Sequence, residues 1–329
     1  MRSAITIGVL AAAMAACAHA PAVAQAVTAT PSGPDTLAIV AVGRALAADS
    51  MRGRGPWTED ATRAARYLAA RLQQLGARPV FGGNLLVPFV TPDHPRDTVY
   101  NVVGVLPNRR GSTAGNVVAM TAHLDHLGVG KPDASGDSIY NGFLDDALST
   151  GMILDVARRY VQAPGDRPLV IMFFNLEEQG LLGAMALAAR PDAAPLISRM
   201  RLLVGVDAGS PAGEAMQWQI MGGLPANRGA QLADSLARVR GWTTTSTVPR
   251  PINDVYVFAQ RGVPIVFPIP GATWRGYTTD QRAEAMSKFD HYHQPADEWR
   301  PDFPLTGTAY YADWLWSIIH AATDAHTPL

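Results

Sequence analysis

A mainly parallel, mixed β-sheet with helices on both faces, an α/β fold, is the class this chain predicts, and three observations carry it. Five short runs are almost wholly apolar: Asn101-Val-Val-Gly-Val-Leu106, Val117-Val-Ala-Met-Thr-Ala122, Leu169-Val-Ile-Met-Phe-Phe174, Leu202-Leu-Val-Gly-Val206 and Pro264-Ile-Val-Phe-Pro268. Strands buried on both faces read this way, whereas strands with one wet face alternate. Stretches with helical spacing lie between or after the runs, at 147–161, 180–189, 229–240, 255–261 and 306–322, and strands alternating with helices build parallel units. Finally, 48% of the 329 residues are hydrophobic and only 17% are charged. That is enough apolar material for a large core and too little charge for disorder.

Taken in order, the chain begins with an export signal at 1–26. Arg2 precedes an apolar stretch, 4–18, and small-residue cleavage sites follow as Ala18-His19-Ala20 and Ala24-Gln25-Ala26. This is the layout of a secretory signal peptide, too short and wrongly flanked for a spanning helix. The expected destination is periplasmic or extracellular. Cys17 is the one cysteine, so cleavage after it leaves no thiol for a disulfide or a nucleophile. Met14-Ala15-Ala16-Cys17 also resembles a bacterial lipoprotein box, which would make Cys17 a lipid anchor at the outer membrane. Residues 27–36, rich in Thr, Pro and Ala, read as a flexible lead, and 37–329 as a single domain. Its first helix is expected at 60–75, with Tyr67, Leu68, Leu72 and Leu75 at helical spacing and Gly76 as the stop. The formal net charge of -1 and the absence of a dense basic run exclude a nucleic-acid binder.

Placed on the predicted sheet, the polar residues gather. His123 ends one strand, Glu177 and Glu178 follow the end of another, and Asp207 ends a third. Open α/β sheets bind ligands outside the carboxyl ends of their strands, so these ends meet around one crevice. Asp145 sits in a turn before the helix at 147–161, and His293 comes from a Pro-containing loop beyond the last strand. Carboxylates set against an apolar core need a cation or a partner, and carboxylate with imidazole is a zinc-type donor set. A single catalytic zinc uses three protein ligands; this set uses itself fully on two ions sharing one carboxylate. One of the two adjacent glutamates can then ligate while the other acts as general base. His94, His320 and His326 read as surface residues, and His126 and His291 as supports to the ligands beside them.

The motifs Ala122-His123-Leu124-Asp125-His126-Leu127-Gly128, Tyr140-Asn141-Gly142 through Asp145-Asp146-Ala147, Glu177-Glu178-Gln179-Gly180-Leu181-Leu182-Gly183 and Tyr292-His293-Gln294-Pro295 resemble the secreted two-zinc leucyl aminopeptidases, metallopeptidase family twenty-eight. The resemblance starts near Arg52-Gly53-Arg54-Gly55 and runs in order to the carboxyl-terminal helix. It implies a zinc-exopeptidase architecture of the phosphorylase/hydrolase-like type and two zinc ions per chain. His123, Asp145 and Asp207 would hold one, and Asp145, Glu178 and His293 the other, with Asp145 bridging. Glu177 would be the general base, and Asp125 would orient His123 through its second ring nitrogen.

The implied activity is release of an amino-terminal, hydrophobic residue from peptides by water activated between two metals. The alternatives are a glutaminyl cyclase-like enzyme with one zinc, and a non-catalytic binding domain on the same scaffold. Where relatives carry a Ser-Gly pair after the bridging aspartate, this chain has Leu148-Ser149, with Leu144 just before that aspartate. Where many read Ser-Asp-His, it has Asn253-Asp254-Val255. Leu144 and Leu148 suggest an apolar substrate pocket. The connection 271–287 is lengthened, and Trp274, Arg275 and Tyr277 on it read as a lid or specificity wall. No protease-associated domain is inserted ahead of Asn101.

Overall fold

The computed structural model describes residues 32–207, 209–223 and 227–329; the expected export signal at 1–26, with Cys17, and residues 27–31 of the expected lead lie outside them. In chain order the strands are β1 (Arg78–Pro79), β2 (Leu86–Thr91), β3 (His94–Leu106), β4 (Val117–His123), β5 (Gly128–Val129), β6 (Ile139–Tyr140), β7 (Leu169–Phe174), β8 (Met200–Gly205), β9 (Gln217–Met221), β10 (Thr243–Thr247) and β11 (Ile265–Pro270). The helices are α1 (Thr36–Leu46), α2 (Glu59–Gln74), α3 (Leu148–Gln162), α4 (Leu182–Ala189), α5 (Ala194–Ile197), α6 (Arg228–Val239), α7 (Val255–Ala259), α8 (Thr279–Phe289) and α9 (Thr306–Thr323).

One mixed sheet runs in the order β1-β3-β7-β4-β8-β11-β9-β10, with β2 added to β3; β5 and β6 pair separately. Its centre, β7-β4-β8-β11, is parallel, and antiparallel pairing of β3 with β7 and of β9 with β11 flanks it. Alternate residues of β4 serve two cores. Val118, Met120 and Ala122 pack with Ile39, Leu68, Met152 and Trp314 from α1, α2, α3 and α9. Val117 and Ala119 pack with Leu187, Leu196 and Phe258 from α4, α5 and α7. Burial on both faces is the reason the central strands read as unbroken apolar runs.

The helices begin and end where local chemistry directs. Thr58 caps α2 by accepting from Ala61 N, Glu59 and Asp60 occupy its first turn, and Gly76 leaves it at φ 81°. The sequence reading passed over α1, which Asp35 caps. It packs so closely on α3 that a Cβ at Gly151 would overlap the Ile39 carbonyl. The sequence also gives no signal for β9 and β10 at one side of the sheet, nor for β1 and β2 at the other. β10 is Thr243-Thr-Thr-Ser-Thr with a largely exposed pattern, and β9 carries glutamines, so neither has the apolar signature of the centre. The stretch read as a connection, 271–287, contains most of α8. A capping box from Thr278 and Gln281 starts that helix, but no residue of it is fully buried, so it leaves little hydrophobic period in the sequence.

Candidate metal centre

The parallel centre of the sheet delivers the polar residues to one edge. His123 is the last residue of β4, Glu177 and Glu178 follow β7 in a tight turn, and Asp207 lies just beyond β8. Asp145 stands between Gly142 and α3, and its peptide link to Asp146 is cis. Gly142 is left-handed at φ 59°, and a Cβ there would overlap the Asp145 carbonyl and the His126 ring. Leu176 and His293 hold positive φ without being glycines, a conformation that persists only where surrounding structure enforces it.

Asp145 faces two imidazoles. Its Oδ1 is 3.0 Å from His123 Nε2, and its Oδ2 is 3.2 Å from His293 Nε2. His123 Nε2 is also 3.5 Å from Asp207 Oδ1, and His293 Nε2 is 3.0 Å from Glu178 Oε2. The five residues expected as ligands therefore converge, with Asp145 in the middle. His123, Asp145 and Glu178 offer donor atoms within 4.8 Å of one another, and so do His123, Asp146 and Asp207.

These contacts suit cations better than hydrogen bonds. Tetrahedral zinc with bonds of about 2.0–2.1 Å sets its ligand atoms about 3.3 Å apart, the spacing seen here. Asp145 Oδ2, Glu178 Oε1 and His293 Nε2 are buried without a hydrogen-bond partner, and buried polar atoms are rarely left so. His126 Nδ1 is 2.8 Å from Glu178 Oε1, yet neither atom has a hydrogen-bond partner. His123 Nδ1 faces the Asp125 carbonyl at 3.2 Å. A carbonyl only accepts, so Nδ1 carries the proton and the Nε2 lone pair points at carboxylates. Only a further proton or a metal relieves that arrangement.

Asp125 faces both His123 and the glutamate turn. Its Oδ1 is 3.8 Å from His123 Nδ1, farther than its own carbonyl. The carboxylate also accepts from the backbone N–H groups of Glu177 and Glu178, at 3.1 and 3.4 Å. Asp125 thus faces His123 with its carbonyl and its carboxylate, and its side chain also fixes the glutamate turn. Asn101 holds the far side of that turn, accepting from Asn175 N and donating to the Gly183 carbonyl.

Further supports were not legible as such. Asp297, four residues after His293, accepts from Leu144 N at 2.9 Å and Asp145 N at 3.1 Å; burial pushes its carboxyl up to about 7. Arg54 is 1% exposed. Its five N–H groups meet the carbonyls of Leu124, Leu46, Asn141, Gly142 and Asp145. One side chain thus staples the segments bearing His123 and Asp145. Arg54 had been noted only as the start of the resemblance, because nothing local distinguishes a buried arginine from an exposed one. Asp254 is fully buried with both oxygens unpartnered.

The charges are strongly coupled. Burial alone would lower the His123 imidazole pKa, but Asp125, Asp145 and Asp207 hold it well above its usual value. Burial opposes ionisation of Asp145, yet His123 and His293 keep it below the usual carboxylate range. Burial pushes Glu177 up to about 9, against the attraction of His123 and with repulsion from Asp254 and Asp207. An acid so placed needs added positive charge to act as a base at neutral pH.

A cavity of about 320 Å³ adjoins the centre, with Asp145 and Tyr292 in its wall. Leu144 and Trp274 line it, while Leu148 is buried instead in the core with α1. Of the other expected wall residues, Tyr277 packs edge-on against Trp274 from outside. Arg275 turns away to pair with Glu214 at 2.7 Å, which also accepts from Trp242 Nε1.

Residues 101–312 match the family model described as Peptidase family M28. No curated protein matches the chain. The structure is similar to a zinc aminopeptidase from Bacillus subtilis, with TM-score 0.65 and 13% identity over 89% of this chain and 96% of that one. It is similar to the LapA aminopeptidase of Legionella pneumophila, with TM-score 0.61 and 14% identity over 90% and 71%. A glutaminyl cyclase from an Acidobacteriales bacterium gives TM-score 0.63 and 15% identity over 93% and 99%. At these identities the likeness is one of fold.

Proposed function

Because the chain belongs to the metallopeptidases of family M28, we propose that it is a two-zinc aminopeptidase releasing a hydrophobic first residue from peptides. The observation that carries this reading is Asp145 between two imidazoles, His123 Nε2 at 3.0 Å and His293 Nε2 at 3.2 Å, the geometry a bridging carboxylate requires. His123, Asp145 and Asp207 would hold one zinc, and Asp145, Glu178 and His293 the other. Two zinc ions bound there would supply positive charge that makes a water acidic and a carbonyl electrophilic.

The chain's own groups do the rest. Glu177, in the turn that Asp125 fixes, takes a proton from the attacking water and returns it to the leaving amine. The cluster's positive charge offsets the burial that otherwise keeps Glu177 protonated. Carboxylates at the centre, chiefly Glu177 and Asp207, hold the free α-ammonium, and the mostly apolar cavity beside Asp145 takes the first side chain. The signal-like residues at 1–26 support action on peptides outside the cytoplasm. No helix among the described residues is long and apolar enough to cross a membrane.

Acetylation of the substrate tests the reading. Removing the α-ammonium leaves a buried carboxylate unpaired, at a cost on the order of 3 kcal/mol, so acetylated peptides should react ~100-fold more slowly than free ones. Rates on matched pairs, with the released amino acid quantified, provide the check. Equal rates would indicate an endopeptidase or amidohydrolase. Conversion of amino-terminal glutamine to pyroglutamate without cleavage would favour a cyclase, the activity named for one of the structural neighbours.

A further inference from the structure

One polar group in the cavity beside Asp145 has no part in the chemistry above. Arg282, on α8, lines that cavity together with Trp274. Its guanidinium lies over the Trp274 ring, 5.6 Å from the centroid, and its buried Nε has no hydrogen-bond partner. A buried N–H without an acceptor is costly, so a ligand that brings an acceptor binds better than one of equal shape that does not. Contact with the indole face restrains the guanidinium, whose fixed fork gives this donor a direction that a lysine would lack.

We propose that Arg282 makes the pocket select, among large apolar first residues, those whose far end carries a neutral oxygen acceptor, tyrosine ahead of phenylalanine. The body of such a side chain suits the apolar lining from Leu144, Ile269, Met286, Phe289 and Phe303, and a volume of about 320 Å³ admits a phenol. The acceptor is neutral because the Asp290 carboxylate also borders the cavity. A carboxylate tip would share one guanidinium with that acidic group, whereas a phenol or amide oxygen accepts from Arg282 without that repulsion.

This selectivity rests on the aminopeptidase reading, and the test separates the two. Zinc-loaded wild type and Arg282→Met, which keeps an apolar stem against Trp274, are compared on tyrosine, phenylalanine and glutamate 4-nitroanilides. The wild type should favour tyrosine over phenylalanine by about 10-fold to 100-fold in kcat/KM, with glutamate below tyrosine, and Arg282→Met should bring the tyrosine-to-phenylalanine ratio close to one. A wild-type ratio near one, the same ratio in both proteins, or glutamate ahead of tyrosine overturns the proposal. If Arg282→Met does not fold, the wild-type ratio decides. If no nitroanilide is cleaved, the aminopeptidase reading fails. The dissociation constants of tyrosinamide and phenylalaninamide for the wild type then decide for Arg282, with tighter binding of tyrosinamide expected and equal binding contradicting it.

Discussion

Glu177→Gln is expected to lower turnover by a factor of ~100 to 10,000, the usual cost of removing a general base, while leaving the metals in place. Glutamine keeps the size of the side chain and the backbone N–H that Asp125 accepts at 3.1 Å, so the turn and the neighbouring Glu178 ligand stay where they are. What changes is the carboxylate itself, as proton acceptor and as a partner of the α-ammonium. Burial and the nearby Asp254 and Asp207 make an ionised carboxyl at this position costly, and a neutral amide there removes that cost, so stability should hold or rise. Turnover and zinc content measured on the same preparation provide the check; near-normal turnover in a metal-loaded variant would remove Glu177 from the role of base.

The second large effect is expected at Asp145. Each of its oxygens faces a different imidazole, so Asp145→Ala deletes a ligand from both metals at once. The backbone around it is held independently, by Asp297 at Leu144 N and Asp145 N and by Arg54 at the Asp145 carbonyl, so the loss should be of metal rather than of fold. Bound zinc is expected to fall below one per chain. Ligand present at 100 times its dissociation constant stabilises the folded state by about 2.7 kcal/mol. The variant should therefore melt at the temperature of the chelator-treated form and lose its response to added zinc. A variant that still carries two tightly held ions would exclude Asp145 as the bridge.

The parts of this molecule that face an apolar core could be read from its sequence. β4, β7 and β8 are buried on both faces, so their residues spell strands without ambiguity, and the acidic and imidazole groups beyond their ends stood out against that background. His123, Asp145, Glu178, Asp207 and His293 stood out as chemical types at strand ends and loops, and the structure brings them together. The rest depends on long-range neighbours. The staple from Arg54 reaches carbonyls up to 91 residues away, and the clamp of Asp297 on Leu144 spans 153 positions. Neither leaves a local pattern. Asp125 shows the same limit at short range, since its type and place are legible but not the further duty of its carboxylate toward the backbone of Glu177 and Glu178. α8 and β10 lie at the surface, where side chains need not repeat with the period of the backbone.

The most direct test of the two-metal centre is native mass spectrometry of the wild-type chain at saturating zinc, after removal of adventitious metal. Five ligands with one bridging carboxylate predict two zinc ions per folded chain. A mass that saturates at one zinc would contradict the bridge through Asp145 and, with it, the aminopeptidase mechanism built on that pair.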